Sequence, residues 1–175
     1  MATIDLIVLG MVRQQPLSAY DIQKLVEYRN ISRWVKISMP SIYKKVIQLE
    51  KKGLIQSAMV REGRMAEKAV YSLTDAGRAE FERLMLEISG EPVRLFLDFN
   101  AVIVNLDGLP PELQRTCVNH IEENVRQLKT YLEENLAEKR GAPEVPEAGM
   151  AVLRQQYALA QAIEAWIASV RESVE

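Results

Sequence analysis

Groups able to hydrogen-bond, carry positive charge and stack gather in one stretch, Ser38 to Leu54, which reads S-M-P-S-I-Y-K-K-V-I-Q-L-E-K-K-G-L. Ser38 and Ser41 offer hydroxyls, Tyr43 an aromatic hydroxyl, Gln48 an amide, and Lys44 and Lys45 ammonium groups. Ammonium groups suit phosphates, while hydroxyls and amides suit phosphates or base edges, so the set fits nucleic-acid recognition in a major groove. A solvated helix of ordinary type has the same composition, so the stretch has to be weighed with what surrounds it.

A second set, Cys117 and His120 with Glu122 or Glu123 nearby, lies in one helical stretch and could offer two metal ligands. A structural zinc site takes four, and the chain holds one Cys and one His, so no metal is expected and Cys117 reads as a small core residue. The sequence contains no glycine-rich nucleotide loop, nucleophile elbow or dense carboxylate–histidine cluster, which argues against an enzyme and against a cofactor. A single cysteine excludes an internal disulfide and fits a reducing cytoplasm. No apolar run reaches the roughly 20 residues that span a bilayer, so neither membrane segment nor signal peptide is expected.

The elements that must position the first set can be read along the chain. Ser38 is placed to cap a helix, Pro40 falls in its first turn, and Gly53 supplies its end. Within it Ile42, Val46 and Leu49 form one apolar stripe, opposite Ser41, Lys44, Lys45, Gln48 and Lys52. Two helices precede it. Thr3 to Gln15 is apolar enough to be mostly buried, and Ser18 with Asp21 forms a capping box before Ile22, Leu25 and Val26. Residues Ile31 to Ile37 predict a loop or very short strand, with Trp34 as a core plug. After the third helix, Leu54–Val60 and Ala69–Leu73 predict a hairpin whose tip carries Arg61, Arg64 and Lys68. Thr74 then caps a fourth helix in which Gly77, Phe81, Leu84, Met85 and Ile88 line up.

Helix, helix, helix, hairpin, helix is the order of a winged helix-turn-helix, and here its third helix and its hairpin tip are both cationic. The chain resembles the PadR family of winged-helix transcriptional regulators. The resemblance is carried by L-G-M-V in the first helix, L-S-A-Y-D-I opening the second, S-I-Y-K-K-V-I-Q-L-E-K-K-G-L-I through the third and V-Y-S-L-T-D-A-G-R after the hairpin. It covers residues 3 to about 88, with Ala19 where many relatives carry Gly. It implies DNA contacts from Ser38, Ser41, Tyr43, Lys44 and Lys45; Tyr20, Gln48, Arg61, Arg64 and Lys68 complete the candidate DNA-binding set.

The second half differs in charge and pattern. Residues 1–88 carry 14 Lys+Arg against 10 Asp+Glu, net +4, and residues 89–175 carry 8 against 14, net −6, as a DNA-binding head with a separate body would. From Pro92, V-R-L-F-L-D-F-N-A-V-I-V-N-L predicts a helix apolar almost all round and buried at the hub of that body. Leu113, Cys117, Ile121, Val125, Leu128, Leu132 and Leu136 predict a long amphipathic helix, Arg140 to Gly149 a loop, and Met150 to Val174 a last helix. That last helix has two apolar seams, Leu159, Ile163, Trp166 and Val170 beside Leu153, Tyr157, Ala160 and Ile167.

The fold class expected is mainly α: a winged helix-turn-helix over residues 1–88, with three helices and a hairpin wing, followed by an all-α dimerisation domain over 89–175. One seam of the last helix would face water in a monomer, so Leu153, Tyr157, Leu159, Ile163, Trp166, Ile167 and Val170 are candidate dimer contacts, a closed three-helix bundle being the alternative. Phe96, Phe99, Tyr157 and Trp166 could flank a small aromatic or lipophilic effector, or be plain core. The function expected is a homodimeric, sequence-specific regulator of transcription, a repressor, binding double-stranded DNA at an inverted repeat. A winged helix used to dock an acidic protein is the alternative.

Overall fold

The computed structural model describes residues 2–35, 39–61 and 67–174, the side chains of 39–41 apart. The chain divides into two compact units, Met1–Val93 and Arg94–Glu175.

In the first unit, α1 (Ala2–Gln14) buries Ile4, Val8, Leu9, Met11 and Val12, a face wide enough to lie against several elements. It packs on α3 (Met39–Lys51), α4 (Asp75–Ser89) and the second strand of the hairpin. Before α2 (Ala19–Tyr28) the capping box forms: Asp21 N–H donates to Ser18 Oγ at 3.2 Å, and Ser18 N–H donates to Asp21 Oδ2 at 3.1 Å. Such a cap contributes about 1 kcal/mol. Residues Ile31–Arg33 form a 3-10 turn rather than a loop or strand. Asn30, at φ +52°, turns the chain into it, and Ile31 is buried as an anchor.

Ile42, Val46 and Leu49 of α3 are buried, which fixes the roll of the helix. At its end Gly53, φ +70°, lets Leu54 N–H reach Leu49 O and Gly53 N–H reach Glu50 O, closing the last turn. The hairpin β1 (Ile55–Val60) and β2 (Lys68–Leu73) pairs Ile55 with Leu73 and Val60 with Lys68. Lys68 therefore belongs to the strand, not to the tip. Leu17 and Tyr71 exchange backbone hydrogen bonds at 3.1 and 2.9 Å, tying the wing to the α1–α2 connection. Thr74 joins three elements, its hydroxyl donating to Gly53 O at 2.7 Å and accepting from Gly77 N–H at 3.0 Å. Along α4, Gly77 and Leu84 are buried as expected, but Met85 is half exposed.

The second unit corrects the expectation of a buried helix from Pro92. Residues 92–97 have no regular structure, followed by one turn of helix, α5 (Asn100–Ile103), and a 3-10 turn at Leu106–Gly108. Phe96 is 82% and Val104 80% exposed, whereas Leu106 is buried with Phe99 and Ile103 packed beside it. Only residues spaced by four and three can reach one core together; a segment apolar on every side lacks neighbours for the rest.

The helices α6 (Pro111–Glu138) and α7 (Glu147–Val174) form an antiparallel pair, as their cross-links show. Arg171 meets Glu122, Lys129 meets Glu164 at 2.8 Å, and Tyr157 O–H donates to Glu133 at 2.6 Å. The buried stripe of α6 is Val118, Ile121, Val125, Leu132 and Asn135, while Leu113 and Leu128 are exposed. The stripe ends in polar groups. Lys139 is buried, its ammonium donating to Asn135 Oδ1 at 2.8 Å, and Asn135 Nδ2 donates to Tyr131 O. Burial pulls the Lys139 pKa below the ordinary lysine value. The loop before α7 is shorter than expected, since residues 147–149 are already helical. No helix among the described residues is long and apolar enough to cross a membrane.

Candidate nucleic-acid interface

With Ile42, Val46 and Leu49 turned into the core, α3 presents Tyr43, Lys44, Ile47, Gln48 and Lys51 to solvent. Their spacing puts them on one stripe. Tyr20, exposed at the start of α2, and Tyr43 border one open depression of about 440 Å³ with Ser18, Asp21, Lys68 and Tyr71. Lys24 lies over the Tyr20 ring, 4.6 Å from its centroid, holding a cation beside an exposed aromatic face. Fold and chemistry thus bring Tyr20, Tyr43 and Lys68 together from three elements, and set Lys44 and Gln48 on the adjoining helix face.

Lys45 is not on that face. Its ammonium pairs with Asp5 of α1 at 2.6 Å, the two side chains only 16% and 13% exposed. Lys45 is the sole partner of that buried Asp5 oxygen among the described residues. It therefore ties α3 to α1, and the reading of it as a free phosphate-binding cation is corrected. Lys68 stands 3.7 Å from Asp21, which shares its charge with the capping box. The Asp21 carboxyl is held below its ordinary value of 3.8, chiefly by the Ser18 hydroxyl. Burial opposes this; the Ser18 N–H and the charges of Lys68 and Lys24 assist it. Arg61 is exposed at the end of β1. Ser38, the Ser41 side chain and Arg64 lie outside the described residues.

Lys24, Ile47 and Lys51 are additions to the site expected from the sequence. Lys24 was legible as an exposed position one turn after Tyr20, and Lys51 continues the Lys44–Gln48 row. Ile47 carried no signal, since an apolar residue beside Val46 reads as core until the roll of the helix is known.

The aromatic set in the second unit is only partly assembled. Phe99 and Trp166 stack with centroids 5.8 Å apart and planes 23° from parallel. Beside them Leu95, Leu97, Asn100, Leu159, Ile163 and Trp166 line an open apolar depression of about 230 Å³. Phe96 points to solvent, and Tyr157 is tied to Glu133 on α6, so neither joins that pair. Of the candidate dimer contacts, Ile167 is buried within its own unit, Leu153, Tyr157, Leu159, Ile163 and Val170 are half-buried, and Trp166 is 38% exposed. Among the described residues no group of three His, Cys, Asp or Glu side chains could hold a metal ion; His120 is exposed.

The model of the transcriptional regulator PadR-like family matches residues 8–83. No curated protein matches the chain. Among solved structures, PadR of Bacillus subtilis in complex with operator DNA is similar at 20% identity and TM-score 0.84, covering 99% of each chain. The same protein in complex with p-coumaric acid gives 17% identity and TM-score 0.81 over 98% of each. The virulence activator AphA of Vibrio cholerae gives 22% and 0.71, covering 98% of this chain and 97% of its own. At these identities the structures establish a shared fold, a winged helix followed by a helical part. The residues matched by the transcriptional regulator PadR-like family model, 8–83, are those that hold α3, the wing strands and the Tyr20–Tyr43 depression, so the likeness to that family falls on the N-terminal unit.

Proposed function

We propose that the protein is a homodimeric, sequence-specific DNA-binding repressor acting on an inverted-repeat operator. The observation that carries the reading is the exposed stripe of α3, in which an aromatic hydroxyl, an amide and two ammonium groups stand clear of the core beside a cationic wing. Lys44, Lys51, Arg61 and Arg64 would neutralise phosphates, and Tyr43 and Gln48 would face base edges. The operator-bound form of the Bacillus subtilis relative supports this use of the fold.

Dimerisation would occur through the second unit. Leu95, Phe96 and Val104 are exposed there together with Trp166, more apolar surface than one chain covers. A second copy of the chain would hide it, with Trp166 as the exposed member of the Leu159, Ile163, Trp166 and Val170 seam of α7, whose Ile163 and Val170 already pack on the α6 core. In a two-fold dimer the two α3 helices would enter successive major grooves about 34 to 36 Å apart, or a multiple of that. The depression beside the Phe99–Trp166 stack would take a small aromatic or lipophilic effector, and the relative's complex with p-coumaric acid supports that ligand class.

Selection of duplexes from a randomised pool, with the mass of the selected complex measured by light scattering, tests the reading. Enrichment of an inverted repeat bound by two chains is expected. Failure to enrich any duplex, or saturation of an acidic protein with no salt-sensitive DNA binding, would replace it with a protein-docking role.

A further inference from the structure

The exposed stripe of α3 has an odd member. Tyr43, Lys44, Gln48 and Lys51 all carry hydrogen-bonding or charged groups, yet Ile47, one turn after Tyr43 and one before Lys51, is 62% exposed. It is not a core residue spilling outward, because Ile42, Val46 and Leu49 are at most 1% exposed and already fill the inward face. A β-branched residue on the outer surface of a helix gains nothing from helix propensity either. The side chain therefore offers only apolar surface, at the middle of a polar stripe.

Base edges in the major groove present donors, acceptors and one apolar group, the thymine C5-methyl. Lysine, tyrosine and glutamine can serve the polar groups; a branched alkyl chain can gain only from the methyl. We propose that Ile47 is a specificity-determining residue that reads thymine in each half-site by packing on its C5-methyl. This rests on the DNA-binding reading and adds to it which base one position of the operator must contain.

Removing one methyl isolates the effect. Duplexes enriched from a randomised pool by the wild-type protein are resynthesised with 2′-deoxyuridine, which pairs as thymidine does but lacks the methyl, at each thymidine in turn. Wild type should lose about fourfold in affinity at one thymidine per half-site, the value of burying a single carbon. Ile47→Ala should be indifferent at that position, and Ile47→Val, which keeps a branched methyl, should retain discrimination. The proposal is overturned if wild type tolerates every replacement, or if wild type and Ile47→Ala weaken alike at all of them. A pool from which wild type enriches nothing overturns the DNA-binding reading itself, and this failure is seen before any deoxyuridine is introduced.

Discussion

Two neighbouring lysines on α3 divide the labour of the site between them. Lys44 is exposed, so Lys44→Ala should weaken binding to all duplexes and reduce the slope of log K against log salt by about two for a dimer, one for each subunit's lysine, with little change in stability. Lys45→Ala removes the partner of a largely buried Asp5 carboxylate and should destabilise the first unit by about 1–3 kcal/mol in urea denaturation. The reverse pattern would mean that Lys45 is the phosphate contact. The sequence could not separate the two, because Asp5 lies 40 positions earlier and only the packing of α1 on α3 brings it near. By contrast the capping box was legible, since Ser18 and Asp21 meet within one turn. Its acid response has a definite sign. A carboxylate whose folded pKa is depressed stabilises the fold above its ordinary value, and that contribution is lost as pH falls through the folded value. Ser18→Ala should therefore cost about 1 kcal/mol at neutral pH. Thermal denaturation should show the gap from wild type narrowing below pH 3.8, and a gap that stays constant down to pH 2 would be contrary to this account.

At the scale of elements, the junction of α3, the wing and α4 has the least slack. A Cβ added at Gly77 would sit 1.9 Å from Leu54 O and 2.9 Å from Leu73 Cδ1, so backbone would have to move. Gly77→Ala should destabilise the unit by about 1–3 kcal/mol or more in urea denaturation and loosen the wing. Gly53→Ala meets no neighbour but must hold φ +70°, and should cost only about 1 kcal/mol. Equal effects of the two would contradict the close approach. Elements with a strong local signal were read correctly, including α2 with its cap, α4 behind Thr74 and the hairpin between two β-rich runs. Where the partners are remote the outcome is mixed: α6 and α7 form as expected, but the helix expected from Pro92 does not. The segment from Pro92 has helix-compatible residues throughout, but only Phe99, Ile103 and Leu106 find a core. At the end of α6, Asn135 and the capping residue Lys139 are buried and bond each other, a pairing that no hydrophobic pattern announces.

For the whole molecule, the division of charge between a cationic head and an acidic body and the apolar surface of the second unit make one joint expectation. Removing residues after Gly149 strips α7 from Val118, Ile121, Val125 and Leu132, and light scattering should show a monomeric or aggregating chain. Trp166→Ala should reduce dimerisation and operator affinity together while circular dichroism shows the winged helix still folded. A Trp166→Ala protein that remains a dimer with an unchanged footprint would move the interface elsewhere. Most direct of all is the affinity for an enriched duplex measured across a series of salt concentrations. Counterion release by the α3 lysines and the wing predicts a steep linear fall of log K with log salt, several units in slope for a dimer and shallower in Lys44→Ala. A wild-type slope near zero, or one that Lys44→Ala leaves unchanged, would contradict the claim that this face of α3 lies against DNA.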